Sequence, residues 1–410
     1  MARNADEWTK KPLLPEGHYV SSKIYTDPNI FEEERAKIMA TTWKFVCHES
    51  ELADPGDYRT LEHAGIPIVV IRGPDNTLRA FLNACSHRGA LLVTEPRGNA
   101  KNFTCFFHLW SYDYKGACVS ITREEGYNAC NLKKGDCGLR QVRIAEKLGL
   151  VFINLDDDAE DFESHVGDSM DDLIEPMGTV PMEVFHHHRI VVHGNWKQWH
   201  ETNMELYHEW GHVVNRQTSV AAEGYHNRKW KIHPNGHGSL DPLKVEYTNY
   251  KGWDARDNLV LPGLQPGEFR IVDLFPNTTV IIRASVVRID TSIPIAPGVT
   301  LLEQRGLGIK GESAEDRLNR QGDHNEFWGP FGRNLAEDVI FVEAVEKTNR
   351  HGASQYGIFA REEELLSQDD EIVRSYYRTW GRYMNRSASD PLRTAAAPEQ
   401  SSTEKLSEYA

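Results

Sequence analysis

The sequence has little of what membranes, nucleic acids or disulfide scaffolds require. No run approaches the ~18 consecutive apolar residues of a membrane span, and the start, MARNADEWTK, has no apolar signal core. Both absences give the expectation of a cytoplasmic protein with no membrane contact. Basic residues are the minority, 46 Lys+Arg against 61 Asp+Glu, and a net charge of −15 argues against a nucleic-acid surface. Six cysteines in 410 residues are too few for a disulfide scaffold. What is present is a folded composition, 40% hydrophobic and 26% charged, in a chain long enough for two cores.

Periodicity divides the chain. A helical lead-in over 1–45 contains NIFEEERAKIMATTW, whose apolar residues recur at helical spacing. From about Asp57 the period becomes two. Tyr58–Glu62, Ile66–Arg72 and Leu78–Leu82 read as strands, with Gly73-Pro74-Asp75-Asn76 as a hairpin turn. This β-rich segment, 46–156, closes on LGLVFINL and an acidic run from Asp156 to Asp161. A mixed domain follows over 157–388. It has a Trp- and His-rich helix from Asn195 to about Asn215, strands at Phe269–Asp273, Val280–Ile289 and Thr300–Gly306, and a helix start at Ser313. Further helices are expected at Asn334–Thr348 and Arg361–Tyr383. The tail, 389–410, is small, polar and expected to be disordered. The fold class is therefore α+β: a small all-β domain and a larger domain with an antiparallel sheet flanked by helices.

Two Cys–His pairs stand out in the β-rich segment. Cys85-Ser86-His87 and Cys105-Phe106-Phe107-His108 are seventeen residues apart, and each offers one thiolate and one imidazole. A structural zinc would take all four in one tetrahedron. A Rieske [2Fe–2S] cluster would take both thiolates on one iron and both imidazoles on the other, with one loop approaching from each side. Gly89 and Gly116 permit tight turns nearby, and Trp110 can shield the site. C-S-H-R-G and C-F-F-H-L-W at this spacing resemble the Rieske motif of the ring-hydroxylating oxygenases. The remaining cysteines, 47, 118, 130 and 137, read as ordinary thiols.

Such an oxygenase needs a second iron, held by two histidines and a carboxylate with positions open to O2 and substrate. The helix candidate Asn195–His212 offers Glu205, His208 and His212 at i, i+3 and i+7, one helical face. H-E-W-G-H at 208–212 also fits the H-E-x-x-H zinc metalloprotease signature, which would leave the Cys–His pairs unexplained. N-W-K at Asn195–Lys197, Glu201, and the acid-x-Tyr-His of Glu205 to His208 resemble the oxygenase family's pattern. Three departures stand: Glu205 replaces the usual Asp, Thr202 and Asn203 shift the usual Asn by one position, and only three residues separate the histidines.

The resemblance implies His208, His212 and Asp338 as ligands of a mononuclear Fe(II), with Glu337 and Glu343 as fallbacks. It implies Glu205 as the acid bridging a cluster histidine (His108) to an iron histidine (His208) of the next subunit in a ring of three. Asn203 joins Glu205 as a candidate catalytic residue. Electrons then come from NAD(P)H through a reductase and a possible ferredoxin, since no G-x-G-x-x-G stands in a strand–helix context. A small β subunit (α3β3) or an α3 homotrimer is implied as well. The resemblance points to a large-subunit oxygenase acting on an aromatic compound or a small sulfonate, and the N-M-E-L-Y-H-E-W-G-H stretch is most similar to the methanesulfonate monooxygenase type. A Rieske electron carrier without oxygenase activity is the alternative. An anionic substrate would want a buried cation, for which Arg270, Arg283 and Arg288 are candidates. Trp196, Trp199 and Trp210 could line a site or serve as core, and His186-His187-His188 reads as structural.

Overall fold

The computed structural model describes residues 9–213, 225–244 and 259–393. Of the expected disordered tail, 394–410 lies outside these residues, as do the first eight residues of the lead-in.

The strand Ile66–Arg72 shows why the β-rich segment folds as it does. Its Val69 and Ile71 enter one apolar cluster with Phe81, Trp110 and Tyr112, while Ile68 and Val70 enter a second with Val142, Val151 and Ile153. Period-two alternation thus feeds two cores on opposite faces. The sheet runs, edge to edge, Lys44–His48, Leu150–Asn154, Gln141–Lys147, Leu78–Leu82, Ile66–Arg72, Asp57–His63 and Arg97–Asn99, all antiparallel. A three-stranded meander, Asn102–Thr104, Ser111–Asp113 and Cys118–Ser120, forms a tip beyond it. The acidic run ends as Asp161 caps the short helix Phe162–Val166 by accepting from the Ser164 N–H.

The second sheet also has seven antiparallel strands, in the order Met182–Val192, Val299–Ile309, Val286–Ala296, Thr278–Arg283, Glu268–Leu274, Gly238–Lys244, Trp230–Ile232. Val287 and Ile289 face the first domain, clustering with Phe45 and Phe152. Arg288 lies on the other face, which the helices cover. The helices used below are α1 (Pro28–Glu34, in the lead-in), α2 (Trp196–Met204), α3 (Ala314–Trp328), α4 (Arg333–Arg350) and α5 (Glu371–Met384). None of the described helices is long and apolar enough to cross a membrane.

The lead-in is tied to this layer by buried charge. Glu34 accepts from Lys197 Nζ at 2.9 Å, from Trp196 Nε1 at 3.1 Å and from Trp380 Nε1 at 2.6 Å, so α1, α2 and α5 share one carboxylate. With three donors on the one carboxylate, the pair is tolerated where lone charges are not.

Three expected boundaries differ. Val280–Ile289 is two strands, because the chain reverses at Ala284 (φ 42°) between Arg283 and Val286. The last helix begins at Glu371 rather than near Arg361; before it, Asp369 and Asp370 accept backbone N–H groups of Glu363, Leu365 and Arg361 and hold that stretch irregular. The Trp- and His-rich helix stops at Met204, and residues 214–215 of its expected range lie outside the described residues.

Candidate metal centres

The two Cys–His loops repeat one backbone design. In the first, Cys85 N–H donates to Ala90 O at 2.8 Å and Gly89 N–H to Cys85 O at 2.9 Å. In the second, Cys105 N–H donates to Trp110 O at 2.8 Å and Leu109 N–H to Cys105 O at 2.9 Å. Each loop turns through a left-handed residue four places after its cysteine, Gly89 at φ 71° and Leu109 at φ 60°. The glycine suits that conformation, whereas Leu109 carries strain of about 1 kcal/mol.

Both thiols are free and buried. The imidazoles of His87 and His108 meet edge to face with centroids 4.6 Å apart, and Trp110 stacks on His87 at 4.6 Å. Tyr112 packs beneath, its hydroxyl 3.1 Å from Cys85 Sγ. Phe106, Phe107 and Leu109 remain exposed around the tip. Among the described residues, these four ligand atoms do not converge to within the 4.8 Å that three ligands of one ion reach in the catalytic domain.

The catalytic centre is built differently. Asn195 caps α2, accepting from Lys197 N–H at 3.1 Å, while its amide donates to Tyr25 O and Pro297 O. The N-W-K motif thus supplies a cap, a core indole and the cation that meets Glu34. Glu201 lies one turn on, accepting from the hydroxyls of Tyr25 (2.8 Å) and Tyr377, and burial pushes its carboxyl up to about 7. Thr202 bonds back to Trp199 O at 2.7 Å.

The helix ends because Glu205 turns extended (φ −125°, ψ 140°) and its Oε2 accepts from the Tyr207 and His208 N–H groups at 3.1 Å. Glu205, His208 and His212 therefore do not share a helical face as expected. Tyr207–Gly211 is a 3-10 turn and His212 lies beyond it. The H-E-x-x-H geometry, which needs an α-helical turn, is absent. The shorter histidine spacing suits the tighter turn instead.

From this turn both imidazoles reach α4. His208 Nε2 lies 3.5 Å and His212 Nε2 3.2 Å from the same Asp338 Oδ1. Among the described residues, this is the one group of three ligand atoms lying within 4.8 Å of one another. Each histidine has a second carboxylate on its other nitrogen: Glu205 Oε1 is 2.6 Å from His208 Nδ1, and Glu337 Oε2 is 2.7 Å from His212 Nδ1. Glu337, expected only as a fallback ligand, meets the outer nitrogen instead, and its place beside Asp338 in the E-D pair is the available signal. Glu343 instead accepts from His193 N–H at 3.0 Å.

The electrostatics follow. Burial would lower the pKa of His208, but Glu205 and Asp338 hold it well above the ordinary imidazole value. Burial would raise that of Asp338, yet the two imidazoles bring it to about 2. An anionic carboxylate against one buried and one half-buried imidazole, each with a second carboxylate close to its outer nitrogen, is a donor set for a divalent transition metal.

The remaining candidates scatter. Asn203 Oδ1 faces Arg288 Nη2 at 3.4 Å and reaches neither histidine by any hydrogen bond. Trp196 and Trp199 are core, and Trp210 is exposed. Arg270 is spent on Glu268 (2.7 Å) and Asp172 O (2.7 Å). His186 and His188 pair with each other at 2.8 Å on one sheet face.

Residues 42–134 match the Rieske [2Fe-2S] domain, and residues 181–384 match the ring hydroxylating alpha subunit catalytic domain. The 2-aminobenzenesulfonate 2,3-dioxygenase subunit alpha of Alcaligenes sp is 44% identical over 95% of this chain and 99% of its own length. The chain belongs to the Rieske ring-hydroxylating oxygenase large subunits. Another relative, the methanesulfonate monooxygenase hydroxylase subunit alpha of Methylosulfonomonas methylovora, is 41% identical over 97% of this chain and 98% of its own.

The fold matches solved members of this oxygenase family. Naphthalene 1,2-dioxygenase from Rhodococcus sp. superposes with a TM-score of 0.77 at 19% identity, over 89% of this chain and 94% of that one. A quaternary ammonium Rieske monooxygenase gives 0.75 at 22%, over 91% and 100%. The protein is accordingly an oxidoreductase, and its cofactors are a Rieske [2Fe–2S] cluster and a mononuclear iron. Large subunits of the family form oligomers and work with reductase and ferredoxin partners. The electron-carrier and metalloprotease alternatives fall with this assignment.

Proposed function

We propose that this chain is the iron-bearing large subunit of an oxygenase that hydroxylates a small organosulfonate. In this reading Cys85, His87, Cys105 and His108 hold the cluster in a domain spanning 46–156, and His208, His212 and Asp338 hold the mononuclear iron in a domain spanning 157–388. The convergence of both Nε2 atoms on one oxygen of Asp338 carries the proposal. The sulfonate is supported by two relatives, each aligned over nearly its whole length and each named for a sulfonate substrate.

When bound, the metals supply single electrons and the redox chemistry of O2. The chain's own residues set the conditions. Glu337 bonds to His212 Nδ1 and Glu205 lies 2.6 Å from His208 Nδ1, an arrangement that favours a proton on each Nδ1 and a metal in place of the proton on each Nε2. Asp338, buried, contributes one negative charge there. Glu205 is fixed by two backbone N–H groups, so its carboxylate stays against His208. We assign it the bridging role, completed by His108 of a second copy in an α3 or α3β3 assembly that draws electrons from an NAD(P)H-dependent reductase in the cytoplasm. Asn203 is read as a positioning residue through Arg288.

A single turnover with labelled O2 tests the reading. Chemically reduced protein is mixed separately with methanesulfonate, 2-aminobenzenesulfonate, benzoate and naphthalene. Label in a sulfonate-derived product is the expected result; two atoms in an aromatic product mark a dioxygenase, one atom a monooxygenase. Label only in the naphthalene product overturns the substrate assignment.

A further inference from the structure

The sheet face beneath the helices carries cations next to the triad. Arg288, on Val286–Ala296, is 2% exposed, and its guanidinium carbon lies 3.4 Å from the Trp328 ring centroid. Its Nε and Nη2 go to Asp290, and Nη2 also faces Asn203 Oδ1, whereas Nη1 has no partner. It lies close enough to Asp338 to feel that charge. Arg283 stands beside it among Phe269, Phe327 and Trp328, with Nε and Nη1 buried and unpartnered. His324, 1% exposed, has neither ring nitrogen satisfied, and Asn203 Nδ2 is unsatisfied as well. Between Arg283, Arg288, His324, Phe327 and Trp328 is a cavity of about 10 Å³, room for one water-sized atom.

The carboxylates nearby are engaged: Asp290 by Arg288, and Asp323, which also lines the cavity, by the Ser285 hydroxyl. What faces inward is a surplus of N–H donors, and buried donors without acceptors are costly unless a ligand supplies them. We propose that Arg288, backed by Arg283, His324 and Asn203, is the seat of the substrate's oxyanion. One oxygen enters the cavity and the carbon body lies on the Asp338 side of Arg288. The matching ligand is acceptor-only and negative, a sulfonate or a carboxylate, and Arg288 is the residue that selects it over a neutral arene. This deepens the reading above and rests on it for the location of the reacting centre.

The test is equilibrium binding to the intact protein of benzenesulfonate, benzoate and the neutral methyl phenyl sulfone. Arg288→Gln paired with Asp290→Asn removes the cation without stranding a buried carboxylate, and the visible spectrum of the cluster reports an intact fold. The pair is expected to weaken both anions by about 10- to 100-fold while leaving the sulfone within about threefold. If the pair does not carry its cluster, Arg283→Gln is measured against the same ratio. Unchanged anion affinity, or equal loss of anion and sulfone, overturns the seat even where sulfonates bind the wild type. Binding of benzoate but not benzenesulfonate, lost on removing Arg288, keeps the seat and overturns the sulfonate reading. No binding of either anion by the wild type overturns both.

Discussion

At the tip of the Rieske domain, two short loops present four proposed ligands, and the backbone shapes each loop with the same pair of hydrogen bonds around Cys85 and Cys105. In the catalytic domain, the three proposed ligands come from a 3-10 turn, the extended residue that follows it and a helix far along the chain, and side-chain carboxylates rather than backbone hold them. The tip is open, with Phe106, Phe107 and Leu109 exposed, whereas His212 and Asp338 are buried. One centre is therefore organised by conformation and the other by buried charge.

Removing a ligand should separate them most sharply. Asp338→Ala is expected to lose the mononuclear iron and essentially all turnover while keeping the cluster's colour. Cys105→Ser should do the reverse to the metals. Iron analysis checks both, falling from about three per chain to about two in the first case and about one in the second. Wild-type iron in Asp338→Ala would mean that this buried carboxylate does not hold the second centre.

Buried charge should also show in pH. Glu201 has its carboxyl raised from 4.5 to about 7 by burial, so the folded state favours the protonated form. Its stabilising contribution is complete below pH 4.5 and is lost as pH rises through 7. Glu201→Gln, which cannot ionise, should gain up to about 3 kcal/mol on the wild type between pH 5 and 8. Denaturant melts at the two pH values measure it; parallel curves for both proteins would remove the distinction.

The carboxylates behind the histidines give the next effect. Glu337→Gln should weaken iron retention by about 10- to 100-fold, read by competition with a chelator, with the cluster spectrum unchanged. The smallest effect belongs to the tip. Leu109→Gly relieves a left-handed leucine and should stabilise the loop by up to about 1 kcal/mol, part of it offset by the freer unfolded chain. Slower thermal bleaching of the cluster is the expected sign, and faster bleaching would mean that the leucine's contacts outweigh its strain.

The ease of reading the two regions differs for the same reason. The four residues of the tip are close in sequence, and a loop held by local hydrogen bonds keeps spacing and geometry in register. The strand Ile66–Arg72 and its turn were legible likewise, since period two is a local property. The turn from Glu205 to His212 was misread as a helix, because the carboxylate that ends the helix acts through its own side chain on backbone two and three residues away. Helical spacing alone does not register such a competing bond.

The cluster motif, the two-histidine and carboxylate set and the family resemblance were legible before any packing was known, because they depend on residue type at short spacing. It took the packed fold to show that Glu337 supports His212 while Asp338 faces both imidazoles, that Asn203 meets Arg288, and that Arg288 and Arg283 turn inward with N–H groups to spare. Those outcomes depend on which face of a strand meets which turn of a helix, and no spacing along one segment carries that information. Packing between segments does.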